Sequence, residues 1–181
     1  YLKKHIENIE NFNSCFVETG TFMGTTINNV EPYFSELHTI EIKEGYYNRA
    51  KNMYKGDKIK FHLGNSSDKL VNICKSLKTD TVFFLDGHWS SGGTGRGVKD
   101  TPLYEELESI MENLEHNAII IIDDVRLFGK GPNKVNEDYD ICNWEDISTD
   151  NLLKKVESRI KNYYFTPSSL DTKDRLVINI K

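Results

Sequence analysis

Three carboxylates and an imidazole stand where this chain leaves its most apolar runs. Asp86 and His88 follow "TVFFL" within the stretch "FFLDGHWSSGGTGRGVKDT" (Phe83 to Thr101), and Asp123 and Asp124 follow "NAIIII". Gathered at one rim, three carboxylates repel one another unless a cation lies among them, and their hard oxygens suit Mg²⁺ or Ca²⁺. A divalent ion held there lowers the pKa of a bound hydroxyl and fixes its direction. His88 titrates near neutrality and is the candidate general base beside the metal set Asp86, Asp123 and Asp124. The other histidines carry no such claim: His38 and His62 fall inside strands, His5 and His116 in polar segments.

The glycines Gly92, Gly93, Gly95 and Gly97 follow at once. They supply unusual backbone angles and close approach, as a loop folding over an acceptor would require. Arg96 and Lys99 in that loop, and Arg126 past the acidic pair, are candidates to meet hydroxyl, carboxylate or phosphate groups. Solvated charge is the plainer role for Arg96 and Lys99, and an ion pair with the nearby aspartates for Arg126. Trp89 and Trp144 could stack on a sugar ring, although burial in the core is the commoner role of tryptophan.

A second set of small residues lies upstream, in "ETGTFMGTT" (Glu18 to Thr26). Gly20 and Gly24 let backbone N–H groups approach a ligand beside a helix N-terminus, and Thr25 and Thr26 are placed to cap that helix. The dinucleotide pattern G-x-G-x-x-G fails because Phe22 stands at its second glycine. No phosphate loop is present either, since Val98 occupies the lysine position of the later glycine run. About twenty residues on, Glu41 is placed to accept both hydroxyls of a ribose. Asn65 and Ser66 either meet an adenine edge or cap the next helix.

These positions need a scaffold, and the apolar pattern describes one. Cys15–Gly20, Leu37–Ile42, Ile59–Gly64, Asp80–Asp86 and Asn117–Asp124 read as buried strands. Helical stretches separate them over Thr25–Phe34, Gly45–Tyr54, Ser67–Leu77 and Pro102–Leu114. Such alternation predicts an α/β fold, a doubly wound and mostly parallel sheet whose ligands sit outside the carboxyl ends of the strands. An amphipathic helix over Asn151–Ile160 and two further strands, "NYYFTPSS" and "RLVINIK", predict a closing hairpin at the sheet edge. Leu127–Ser148 reads as a long surface loop.

The 181 residues suit a single domain spanning the whole chain. With 28 acidic against 23 basic residues the net charge is −5, which offers nucleic acid and anionic membranes no general attraction. No apolar run approaches a bilayer span. Cys15, Cys74 and Cys142 fit neither a disulfide framework nor a zinc cluster, so a reducing, cytoplasmic setting is expected.

At this point the motifs acquire a common context. "VETGTFMGTT" resembles the first motif of the class I S-adenosylmethionine-dependent methyltransferases, and Glu41 falls where their ribose-binding acid does. "FFLDGHW" and "IIIIDDV" resemble the two metal-bearing motifs of the Mg²⁺-dependent O-methyltransferase branch, which includes catechol and macrolide-sugar enzymes. The combination "LDGHWSSGGTGRGVKDTPLYEEL…IIIDDVRLFG" is most similar to small methyltransferases of glycan and surface-polysaccharide assembly. The resemblance implies a Rossmann-like, seven-stranded sheet ending in an antiparallel hairpin.

It also implies roles. Glu18, Gly20, Thr21 and Gly24 would meet the amino-acid part of S-adenosylmethionine, with Thr25 beside them; Glu41 would take the ribose; Asn65 and Ser66 the adenine; and Asp86 would border the cofactor as well as the metal. Asp86, Asp123 and Asp124 would hold Mg²⁺ or another divalent cation. The catechol branch places a lysine base shortly after its first metal aspartate; Ser90 and Ser91 occupy that region here, which leaves the role to His88. The implied reaction is methyl transfer to a hydroxyl of a sugar or glycan, with a catechol-like acceptor as an alternative. A further domain upstream of Tyr1, or a partner enzyme of glycan assembly, would fit that setting. Two rivals remain: a non-catalytic nucleotide-binding module of the same fold, and a nicotinamide-dependent sugar-modifying enzyme, against which Phe22 and the acidic cluster weigh.

Overall fold

The computed structural model describes residues 2–132 and 142–181. Five parallel strands carry the apolar runs: β1 (Cys15–Thr19), β2 (Glu36–Glu41), β3 (Ile59–Leu63), β4 (Thr81–Leu85) and β5 (Ala118–Ile122). Two antiparallel strands, β6 (Ile160–Thr166) and β7 (Arg175–Ile180), complete a seven-stranded sheet in the order β3-β2-β1-β4-β5-β7-β6. Helices α1 (Leu2–His5), α2 (Thr25–Val30), α3 (Glu44–Met53), α4 (Ser66–Ser76), α5 (Leu103–Asn113) and α6 (Thr149–Val156) precede or connect them.

Every residue of β1, β4 and β5 is buried, as a sheet covered on both faces demands. On one face Val17, Phe83 and Ile120 pack with Leu70 of α4, Leu107 of α5 and Leu152 of α6. On the other, Phe16, Val82 and Ile119 meet Ile27 of α2 and Ile6 and Ile9 of the N-terminal segment.

The structure differs from the sequence expectation in two places, the first helix after β1 and the loop before α6. The helix expected over Thr25–Phe34 stops at Val30, and a 3₁₀ turn over Glu31–Tyr33 follows. Pro32 has no N–H for the helical ladder, which accounts for the break. The closing hairpin lies at the sheet edge as expected, with its second strand the inner one: Leu176 pairs with Ile122 of β5. Asp174 and Arg175 are thereby delivered to the carboxyl rim. The loop expected over Leu127–Ser148 lies partly outside the described residues; of its described part, Cys142, Trp144 and Ile147 are core residues. Among the described residues, no helix is long and apolar enough to cross a membrane.

The strand order reverses between β1 and β4, which opens a crevice outside their carboxyl ends.

Candidate active site

Gly20 leaves β1 beside the point where Asp86 leaves β4. A Cβ on Gly20 would lie 2.3 Å from the Asp86 carbonyl oxygen, and its φ is 84°, so the close approach of the two strand ends requires glycine. Phe22, the residue that breaks the dinucleotide pattern, itself adopts a positive φ of 46°. Its N–H donates to Glu41 Oε2 (2.8 Å), and the Lys43 N–H donates to Oε1 (2.8 Å). The buried Glu41 carboxylate thus ties the loops after β1 and β2 together, and each oxygen keeps a second lone pair for a ligand hydroxyl. Thr25 and Thr26 do not cap α2 through their side chains, contrary to expectation. Gly24 takes the cap position in a left-handed conformation, and the Asn28 amide donates to its carbonyl (2.6 Å).

A cavity of about 330 Å³ fills the crevice, a volume within the range of small-ligand sites. Gly20, Glu41, Asn65, Ser66, Asp86 and His88 all line it. Phe22, Tyr46 and Trp89 add aromatic walls, and Lys99 faces it from the glycine loop. Asn65 also caps α4, its Oδ1 accepting from the Ser67 N–H (3.0 Å), so one side chain meets both alternatives left open by the sequence.

The glycine loop forms part of the cavity wall through Ser90, Thr94, Gly95 and Gly97. A Cβ on Gly95 would lie 2.2 Å from the Ile42 side chain, and the Lys43 ammonium donates to the Gly93 carbonyl. The Trp89 N–H donates to the Asp100 carbonyl (2.8 Å), which closes the loop at its base. Arg96 stacks 4.0 Å over the Trp89 ring and pairs with Asp100 (2.7 Å). Lys99 pairs with Glu105. Both residues hold the loop's shape in this state.

At the far wall His88 is held between two carboxylates. Its Nδ1 lies 3.3 Å from Asp86 Oδ1 and its Nε2 lies 3.2 Å from Asp124 Oδ2. The imidazole packs against Trp144 at 4.8 Å, and the Ser90 hydroxyl is 3.0 Å from Nε2. Asp123 is not part of this group; it pairs with Arg175 (2.9 Å). Arg126 bridges Asp124 and Asp174, the latter at 2.7 Å, which makes it the ion-pair partner of the aspartates. The structure therefore divides the carboxylates into two groups able to take a cation, Asp86–His88–Asp124 and Asp123–Asp124–Asp174.

Burial raises the Asp86 carboxyl well above its ordinary range, and the charges of Asp123, Asp124, Glu18 and Glu106 add to the shift. Burial likewise raises Asp123, against the pull of Arg175. His88 is lowered by burial, with Asp124 opposing and Arg126 reinforcing. The imidazole is accordingly neutral at neutral pH and able to accept a proton.

Glu18 and Thr21 stand behind the cavity wall. The Thr39 hydroxyl donates to Glu18 Oε2 (2.6 Å) and lies 2.6 Å from the Thr21 hydroxyl. Burial pushes the Glu18 carboxyl up to about 8. Sequence reasoning passed over Glu106, Asp174 and Arg175. Glu106 reaches under Gly87 from α5 and is pushed up to about 7 by burial. An acid on the buried stripe of an amphipathic helix is the signal that marks it.

No family model matches the chain, and no curated protein sequence does. Solved structures do match. A Listeria monocytogenes protein described as an S-adenosylmethionine-dependent methyltransferase superposes with a TM-score of 0.59 at 10% identity, over 98% of this chain and 94% of its own. The chain has the fold of the S-adenosylmethionine-dependent methyltransferases. The N-methyltransferase NodS from Bradyrhizobium japonicum aligns at 10% identity with a TM-score of 0.55, over 99% of this chain and 88% of its own. An rRNA methylase from Streptococcus thermophilus aligns at 14% identity with a TM-score of 0.55, over 94% and 88%. These alignments cover nearly all of this chain, and the seven-stranded sheet agrees with the one expected from the sequence.

Proposed function

We propose that the chain is an S-adenosylmethionine-dependent O-methyltransferase acting on a hydroxyl of a sugar or glycan, with His88 as general base and a divalent cation assisting. The observation that carries this reading is the His88 imidazole pinned between Asp86 and Asp124 on the wall of the cavity that Gly20 and Glu41 border.

The residues present fit the cofactor. Gly20, Glu41, Asn65 and Ser66 line one cavity, in which the Glu41 carboxylate would take the ribose hydroxyls and Asn65 and Ser66 the adenine. Bound S-adenosylmethionine would supply an electrophilic methyl group, and its positive charge would favour ionisation of the buried acids Glu18 and Asp86, whose pKa burial raises in the empty site. The donor set also fits a divalent cation. Asp86, Asp123, Asp124 and Asp174 face two guanidinium groups, Arg126 and Arg175, so carboxyl groups outnumber the neighbouring cations, and a bound cation would offset the burial that raises Asp86 and Asp123. Mg²⁺ or another divalent ion held by Asp86 and Asp124 would acidify the acceptor hydroxyl.

The chain's own residues then do the rest. His88 takes the hydroxyl proton; Asp124 and Ser90 orient its ring. Trp144 behind it and the glycine loop in front exclude water, and in-line transfer benefits from that fixed geometry. Lys99 faces the cavity and is the loop residue placed to meet the acceptor.

A hydroxyl acceptor is supported by the position of the base and by the motif resemblance. A net charge of −5 weighs against RNA as acceptor, although the fold itself serves an rRNA methylase and an N-methyltransferase. Transfer of labelled methyl from S-adenosylmethionine to a panel of sugars, catechols, amines and RNA, with and without Mg²⁺, tests the reading. Metal-stimulated label on sugar hydroxyls supports it, and His88→Ala should lower that turnover by about 10² to 10⁴. Label on an amine or RNA alone would overturn the hydroxyl assignment.

A further inference from the structure

We propose that Cys15, Glu36 and His38 form a binding site for a thiophilic divalent metal ion, Zn²⁺ foremost, at the end of the sheet opposite the crevice. The site is independent of the methyl-transfer reading.

Cys15 opens β1 and Glu36 opens β2, and the sheet register sets them side by side. His38 follows two residues later, on the same face of the sheet. One ligand atom from each, a thiol sulfur, a carboxylate oxygen and an imidazole nitrogen, lie within 4.8 Å of one another. A tetrahedral ion with bonds of about 2.0–2.3 Å asks for donor separations of about 3.3–3.8 Å. Glu36 Oε1 and His38 Nε2 are 3.0 Å apart, just short of that range, so a slight opening of this pair and an inward shift of the sulfur complete the set.

A second, separate feature points the same way. The other nitrogen of His38, Nδ1, lies 3.0 Å from His62 Nε2, and the two rings stack at 5.1 Å with 3° between their planes. Metal-bound histidines characteristically anchor their second nitrogen in this manner. The pair also gives a simple switch of tautomer. In the metal-free state, His62 Nε2–H donates to His38 Nδ1 and His38 Nε2–H donates to Glu36. With an ion bound, His38 carries its proton on Nδ1, donates to His62 Nε2 and presents the Nε2 lone pair to the metal; His62 keeps one proton, on Nδ1. Both rings are neutral throughout, consistent with burial lowering His38 and pushing His62 down to about 4.

Burial pushes the Cys15 thiol up to about 12, so it is protonated until a metal arrives. Binding breaks the S–H bond, forms the S–metal bond and releases one proton to solvent. The Lys60 ammonium, which pairs with Glu36 in the metal-free state, is displaced. Its side chain is 58% exposed and that of Glu36 43%, which leaves both free to move and gives the ion a route from solvent. A thiolate–imidazole set discriminates against Mg²⁺, which separates this site from the aspartates at the crevice.

The test is a titration of the metal-free full chain with Co²⁺, read by absorption. The expected result is one equivalent giving a thiolate-to-cobalt charge-transfer band with tetrahedral d–d bands, displaced by Zn²⁺ and unaffected by Mg²⁺. Cys15→Ala should remove the charge-transfer band. His62→Gln should weaken affinity about 10- to 100-fold. Glu36→Gln, at a half-exposed side chain, should weaken it at least about tenfold with an unchanged melting temperature of the metal-free protein. Asp86→Asn should leave the spectrum as it is. Absence of a charge-transfer band in the parent protein, its survival in Cys15→Ala, or its loss in Asp86→Asn would each overturn the proposal.

Discussion

Glu18→Gln should stabilise the ligand-free protein, and by an amount that depends on pH. Glu18 is 2% exposed, Glu41 adds repulsion to its burial, and the Thr39 hydroxyl offsets these only in part. Its carboxyl is pushed from 4.5 up to about 8. The folded state therefore holds a proton that the unfolded state has lost across that window, and stability falls as pH rises through it. At neutral pH the gap of about 2.5 pH units corresponds to about 3 kcal/mol. Glutamine has nearly the same shape, accepts from Thr39 through Oε1 and has no charge to bury. Urea unfolding at several pH values reads the effect: Glu18→Gln should gain about 3 kcal/mol near neutrality and converge with the parent below about pH 4.5. A gain that is the same at all pH values, or a loss near neutrality, would refute the reasoning. The gain should come with weaker binding of S-adenosylhomocysteine, because the acid serves the ligand at the expense of the empty fold.

Three further outcomes follow from the same geometry. Gly20→Ala places a methyl 2.3 Å from the Asp86 carbonyl at a φ of 84°, and should cost about 3 kcal/mol in a thermal melt; an unchanged midpoint contradicts the close approach. His62 is pushed down to about 4, so the unfolded state binds the extra proton and stability is lost as pH falls from 6.5 towards 4. His62→Gln should remove about 2 kcal/mol of that acid sensitivity, below the roughly 3 kcal/mol of the full shift because solvent screens the partly exposed ring, measured by urea midpoints across the window. Asp86→Ala should abolish metal-stimulated methyl transfer while calorimetry finds affinity for S-adenosylhomocysteine nearly intact; equal turnover in parent and variant removes Asp86 from the mechanism.

Most of the fold is written in the apolar pattern. Runs such as "NAIIIIDD" and "DTVFFLD" are too short and too β-branched for helices, and their acidic ends fall at the crevice rim because the strands are parallel. Gly20 and Glu41 are legible for the same reason. Long-range pairing is less legible. That β7 rather than β6 lies against β5 follows from no local signal, and it is this pairing that brings Arg175 to Asp123 and divides the expected trio of metal ligands. Trp144 illustrates the same limit: it stands in a polar stretch of sequence, yet lies buried against His88. His38 and His62 look inert one at a time, and only the register of β1, β2 and β3 sets them beside Cys15 and Glu36.

The most direct test of the central claim is a calorimetric titration of S-adenosylhomocysteine into the purified chain, with and without Mg²⁺ and with NAD as control. Saturable binding of S-adenosylhomocysteine at one site, strongly weakened by Glu41→Ala in a variant that stays folded, is the predicted result. Binding of NAD in its place, or of neither ligand, would contradict it and leave a methyltransferase fold put to another use.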